Sequence, residues 1–290
     1  MTSLKRQGKQ AFTLVKKEKS HVGCTSKIGP NWVEQNGQGE PVLFIAGLGY
    51  ASWCWRGVSE EIDKHFNTIC VDNRGAGQSD FPQDSVSIKV MADDAAEVIS
   101  SLNVGPAHIV GHSMGGYIAL TLAQDHPHLV RSLVLVGTTS GGSECAPVPD
   151  ATLQAWHEAS ALPSAEFARK TMPFSFAPGW VSEETDAFED HLAARLEYPT
   201  APKAWAAQFS ACEDYLANGL RVEEITVPSL IIHGSADRVV PYSNGKELAN
   251  RMPHARLLTL KDAGHLCFLE DSANFCQQTT HFFQTLNKGN

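Results

Sequence analysis

The sequence predicts an α/β fold, a mostly parallel sheet flanked by helices, and three observations carry that reading. Short apolar runs of strand length recur along the 290 residues and alternate, in the later part, with helical patterns. Such alternation implies parallel strands joined by right-handed crossovers. A serine flanked by glycines, Gly111-His112-Ser113-Met114-Gly115, joins one apolar run to a helical one. Asp237 and His265 each stand just past a later run, at the strand ends where open α/β sheets keep their ligands.

Residues 1 to about 10 read as a solvated arm. Lys5, Arg6, Lys9, Lys16, Lys17 and Lys19 face one acid, Glu18, in the first twenty positions. No run of seven or more apolar residues marks a secretory signal there. A first strand is expected at Ala11–Val15, and further strands near 31–35, 42–46, 67–72, 108–112, 132–137, 229–233 and 256–260. Between about Ser140 and Arg221 the pattern turns wholly helical. Helices are expected near 150–162, 164–171, 183–196 and 202–216, punctuated by Pro163, Pro173, Pro178 and Pro199. A last helical run extends from about Glu270 to Phe283.

The serine pentapeptide follows His108-Ile109-Val110 and opens the run Tyr117–Ala123. A serine on a strand-to-helix turn crowds its neighbours, and glycines two residues to either side remove the side chains that would clash. The turn lifts Ser113 above the sheet and starts a helix at Met114, whose N-terminus suits developing negative charge. Ser113, Asp237 and His265 stand in the chain order of a nucleophile, an orienting acid and a base. His265 is expected to take the Ser113 proton while Asp237 holds the imidazole. Asp262, three residues before His265, is the less favoured acid. No acidic residue follows the strand Leu133–Gly137.

On Gly47-Leu48-Gly49, the turn Asp72–Ser79, the elbow, Asp237 and Gly264-His265, the chain resembles the α/β-hydrolase superfamily from about Trp32 to Leu286. Within it, the chain is similar to capped esterases and lactonases of the 3-oxoadipate enol-lactonase and pimeloyl-carrier methyl esterase kind. The resemblance implies an eight-stranded sheet with a helical cap inserted after the sixth strand. The core would comprise residues 1–139 and 222–290, and the cap 140–221. It also implies that the backbone N–H groups of Leu48 and Met114 form the oxyanion hole. Relatives commonly carry His-Gly where this chain has Ala46-Gly47, which removes a side chain that buttresses the loop. The implied activity is hydrolysis of a small or medium carboxylic ester or lactone through an acyl-enzyme. A carbon–carbon bond hydrolase with the same three residues is the alternative, and a hydrolase-like ligand receptor is the reading from another class. Fold relatives that need an aspartate at the elbow, dehalogenases and epoxide hydrolases, are excluded by Ser113.

A net charge of −9 and a pI near 5.7 argue against a nucleic-acid partner. No apolar stretch approaches membrane-spanning length. Seven cysteines without C-x-x-C spacing suggest reduced thiols in a cytoplasmic protein. No metal or cofactor is implied, and the expected partner is a small-molecule substrate. Cys54 and Cys267 lie near the oxyanion loop and His265 in sequence, where thiol reagents would block by bulk. His112 and His233 read as packing residues. Asp72, Arg74 and Asp80 read as a hydrogen-bonded turn walling the pocket, and Trp53 and Trp55 as a helix packed on the sheet. Trp205 and Phe209, one helical turn apart, read as core. Arg169, Lys170, Arg195 and Lys203 read as solvated charges, so neutral apolar substrates are expected over anionic ones.

Overall fold

A computed structural model describes residues 24–81 and 86–287. The expected strand Ala11–Val15 and the basic arm lie outside the described residues. Eight strands form one sheet in the order β1-β2-β4-β3-β5-β6-β7-β8. They are β1 (Cys24–Ile28), β2 (Asn31–Gly37), β3 (Pro41–Ile45), β4 (Asn67–Val71), β5 (Ala107–His112), β6 (Val130–Val136), β7 (Ser229–Gly234) and β8 (Ala255–Leu260). The outer strands β1 and β2 pair antiparallel, as do β2 and β4, and the other pairings are parallel. Strand β1 has no counterpart in the sequence reading. Its residues Cys-Thr-Ser-Lys-Ile are mostly exposed on the sheet edge, so no apolar run marks it.

The helices are α1 (Val58–Ile62), α2 (Ile88–Ser101), α3 (Met114–Asp125), α4 (Asp150–Ala159), α5 (Ser164–Thr171), α6 (Trp180–Glu183), α7 (Thr185–Glu197), α8 (Pro202–Asn218), α9 (Tyr242–Arg251), α10 (Cys267–Glu270) and α11 (Ser272–Asn287). The central strands are apolar on both faces because helices cover both. Phe44, Val110, Val134 and Ile232 point into one core with α10 and α11, while Leu43, Ile109, Leu133 and Ile231 point into the other with α2 and α3. The two-residue period of the strand thus splits each run between two cores.

Helices α4 to α8 form a continuous insertion between β6 and β7. Its base is pinched. The Leu220 N–H donates to the Ser140 carbonyl and the Gly142 N–H to the Leu216 carbonyl, both at 2.8 Å. A Cβ on Gly219 would come within 2.8 Å of the Gly142 Cα. Among the described residues no helix is long and apolar enough to cross a membrane.

Candidate active site

The carboxyl ends of β3, β5, β7 and β8 converge on one region, and each delivers one part of the site. Ser113 follows β5 with φ 54° and ψ −119°, a left-handed conformation that costs a non-glycine residue roughly 1–3 kcal/mol. Its neighbours hold it there. The Ser113 N–H donates to the Val136 carbonyl at 2.9 Å, and the Ser113 carbonyl accepts from Thr138 Oγ1 and the Gly116 N–H, each at 2.8 Å. A Cβ on Gly111 would collide with the Gly115 carbonyl, one on Gly115 with the Ile45 carbonyl and one on Gly116 with Thr138. The glycines the motif requires are thus there for steric reasons, and Gly116 is a third that the motif does not specify.

His265 Nδ1 lies 2.8 Å from Asp237 Oδ2. The other carboxylate oxygen, Oδ1, accepts the N–H groups of Val239 and Val240 at 2.8 and 2.9 Å. Burial would raise the Asp237 carboxyl. The facing charge of His265 and hydrogen bonds from His233 and His265 outweigh it and hold the group well below the usual carboxylate range. Asp262, the less favoured acid, is exposed at a left-handed position. Gly137 makes room for the pair, since a Cβ there would stand 3.1 Å from His265 Nδ1.

Ser113, His265, Gly47 and Leu48 line one cavity of about 90 Å³. Met114 turns its side chain into the core shared with α2 and α3, leaving its backbone at the start of α3 beside Ser113. Among the described residues the N–H groups of Leu48 and Met114 have no hydrogen-bond acceptor. The structure therefore brings Ser113, His265 and Leu48 to one cavity, with Asp237 behind His265.

Several single-residue expectations change. Trp205 and Phe209 do stack, 5.1 Å apart and nearly coplanar, but they line the cavity instead of forming a sealed core. Helix α8 lines the cavity, so the face taken for core looks onto it. Cys54 and Cys267 are buried away from it, and the thiol on its wall is Cys212, where burial pushes the group up to about 12. The Asp72 turn is hydrogen bonded, with Oδ1 accepting from the Ser52 N–H and Oδ2 from the Gln78 N–H. None of Asp72, Arg74 and Asp80 lines the cavity. Arg74 instead pairs with buried Asp94 through two 2.7 Å contacts, and Asp80 pairs with Lys27. His112 is packed, edge-on to Trp55 and 4.6 Å from the His265 ring, and its Nε2 lies 3.2 Å from the His265 carbonyl.

Arg195 overturns the solvated reading most clearly. It is only 9% exposed and lines the cavity. Its guanidinium lies 4.8 Å from the Tyr50 ring centroid, with Nη1 3.4 Å from the Tyr50 hydroxyl. Among the described residues it forms no ion pair with a carboxylate. Helix α7 is weakly amphipathic, so periodicity could not assign Arg195 to its inner face. Glu270 also escaped notice. It accepts the N–H groups of Gly264 and Ala177 at 2.9 and 3.0 Å and so fixes the loop ahead of His265.

Known proteins match this chain over most of its length. The 2-hydroxymuconate semialdehyde hydrolase of Pseudomonas sp. (strain CF600) is 30% identical over 259 residues, covering 86% of this chain and 89% of that protein. The enol-lactonase of Burkholderia xenovorans LB400 superposes with a TM-score of 0.77 at 22% identity, covering 90% of this chain and 100% of that one. A thermophilic esterase from Thermogutta terrifontis gives 0.75 at 22% identity, covering 92% and 99%. At those identities the two structures speak for the fold alone. A family model described as alpha/beta hydrolase fold matches residues 40–272. With its strand order, its strained serine turn and this match in hand, the chain belongs to the alpha/beta hydrolase family.

Proposed function

We propose that the protein is a serine hydrolase of a carboxylate-bearing ester or lactone, with Ser113 as nucleophile, His265 as base and Asp237 as the orienting acid. The observation that carries this reading is Ser113, held at a positive φ, sharing a cavity with the ring of a His265 anchored on Asp237. His265 Nε2 takes the Ser113 proton as Oγ attacks the acyl carbon. The oxyanion forms against the N–H groups of Leu48 and Met114, and each such donor contributes on the order of 3 kcal/mol to the transition state. His265 returns the proton to the leaving oxygen, and water then releases the acyl group by the same steps. Residues 140–221 act as a cap over a core made of 1–139 and 222–290.

Arg195 changes the expected substrate. A buried guanidinium with no carboxylate partner among the described residues is costly, and it stands on the wall of this cavity. An anionic group on the substrate supplies the missing partner. The same arginine, with the 30% identity to 2-hydroxymuconate semialdehyde hydrolase, favours one second reading: carbon–carbon cleavage of an anionic vinylogous diketone by the same residues.

Labelling with a fluorophosphonate, followed by turnover of matched esters, lactones and a vinylogous diketone acid, tests both. Ser113→Ala should lose the label and several orders of magnitude of turnover. Labelling at another serine, or near-full activity in Ser113→Ala, would overturn the assignment.

A further inference from the structure

We propose that Gln208 of helix α8 is a positioning residue that aims the oxyanion loop from the inserted helices. The proposal rests on the function proposed above. The loop after β3 is three consecutive peptides, each held from a different side. The Ala46 carbonyl accepts from Asn73 Nδ2 at 3.0 Å, and the Gly47 carbonyl from the Tyr50 N–H at 3.1 Å. A trans peptide points its N–H opposite its carbonyl, so the second bond also sets the direction of the Leu48 N–H. The third peptide is held by Gln208, whose Oε1 accepts the Gly49 N–H at 3.1 Å. Its Nε2 donates to the Arg74 carbonyl at 3.0 Å.

Gln208 is wholly buried, and both ends of its amide are engaged. It therefore bridges the turn after β4 and the loop after β3 as a rigid strut. Thr200 Oγ1, just before α8, donates to the Gly49 carbonyl at 3.3 Å. Helix α8 can come this close only because residue 49 is glycine, with φ 69° and a would-be Cβ 2.8 Å from Trp205 Cδ1. The same helix thus carries Trp205 and Phe209 on the cavity wall and the strut on the loop. Ala46 offers this loop only a methyl group, and Gln208 holds it from helix α8.

The test separates transition-state from ground-state binding. A trifluoromethyl ketone adds Ser113 Oγ to its carbonyl carbon. The C=O π pair becomes the oxyanion, and the Ser113 proton passes to His265. The matching secondary alcohol binds without that step. Gln208→Leu should lower kcat and ketone affinity together by about 10- to 100-fold, below the loss for a whole oxyanion donor. KM and alcohol affinity should stay within about twofold, because only transition-state binding is lost. Gln208→Glu keeps the acceptor for Gly49 but not the donor to Arg74, and should lose less. If Gln208→Leu does not fold, Gln208→Glu and Thr200→Val decide, with kcat and ketone affinity falling in parallel by threefold or more. Unchanged ketone affinity in the folded variants, or equal losses for ketone and alcohol, would overturn the role of Gln208. A ketone that binds Ser113→Ala as tightly as the unaltered protein would instead overturn the nucleophile assignment, and this proposal with it.

Discussion

His233 Nε2 lies 3.2 Å from Asp237 Oδ2, so the carboxylate oxygen that faces His265 is shared with a second, buried imidazole. The same nitrogen is 2.9 Å from the Val240 carbonyl, which cannot donate, so His233 carries its proton on Nε2 and gives it to both. Helix α9 closes over the ring at Gly245, where a Cβ would strike the imidazole. The histidine read as packing at the end of β7 therefore helps to fix the Asp237 carboxylate.

Removing that donor leaves Asp237 Oδ2 with one partner. A hydrogen bond to a charged group contributes about 1.5–3 kcal/mol, and part of it keeps the carboxylate aimed. His233→Leu is expected to lower kcat by about tenfold or more while fluorophosphonate still labels Ser113. Steady-state kinetics beside a labelling time course measures both, and an unchanged kcat would assign His233 to packing alone.

Charge preference tests Arg195. For matched substrates with and without a carboxylate, the unaltered protein should favour the anion by tenfold or more in kcat/KM. Arg195→Gln should abolish that preference, mostly through the anionic substrate, because specificity is a ratio of such values. Preference for the neutral substrate in the unaltered protein would return Arg195 to a purely structural role with Tyr50.

Two glycines, Gly115 in helix α3 and Gly105 at a left-handed φ, should respond differently to a methyl group. Gly115→Ala drives a Cβ into the Ile45 carbonyl, whereas Gly105→Ala, at φ 76°, meets nothing within 4 Å. The first should cost at least the roughly 1–3 kcal/mol of an overpacked core and disturb the elbow. The second should cost only the backbone strain of roughly 1–2 kcal/mol. Urea unfolding of the two variants makes the comparison.

Acid sensitivity should come from three buried histidines, His108, His112 and His191, each held below the ordinary range chiefly by burial. Burial, the largest cause in each case, holds His108 and His191 down to about 4, against 6.5 for the free group. Between those values the unfolded chain binds protons that the folded chain refuses, so stability is full above about 6.5 and falls as pH drops towards 4. Each histidine should cost about 2 kcal/mol between pH 7.5 and pH 5. Urea midpoints across that range should show the loss, and His191→Phe should flatten the slope by about a third. An unaltered slope in that variant would place the acid sensitivity elsewhere.

What was legible in the sequence was what backbone geometry dictates locally. Gly111 and Gly115 announce the turn around Ser113 because a Cβ at either would strike backbone, and Asp237 and His265 lie within a few residues of strands with clear apolar runs. Residues whose meaning depends on a distant partner could not be read. Gln208 meets Gly49 across 159 positions of chain, and its own neighbours carry no trace of that contact. Trp205, Phe209 and Arg195 lie on helices whose inner faces border a cavity, and apolar spacing cannot tell a cavity wall from a packed core. Strand β1 lacked a signal because an exposed edge strand needs no apolar residues.

The pinch at the base of the insertion, where Ser140 meets Leu220 and Gly142 meets Gly219, has a consequence for how such a chain can change. The chain leaves the sheet and returns to it at nearly one point, so strand register depends on the two ends meeting, while the loops below are held by contacts such as Ala177 to Glu270 and Gln208 to Gly49. Closing a segment of different length between them alters the free energy slowly, by about 0.6 kcal/mol for each doubling. The eighty-odd residues in between can therefore be exchanged as a cassette, by recombination or by design, without disturbing strand register. A graft that leaves out Gln208 would carry its own roof but leave the loop below it unbraced.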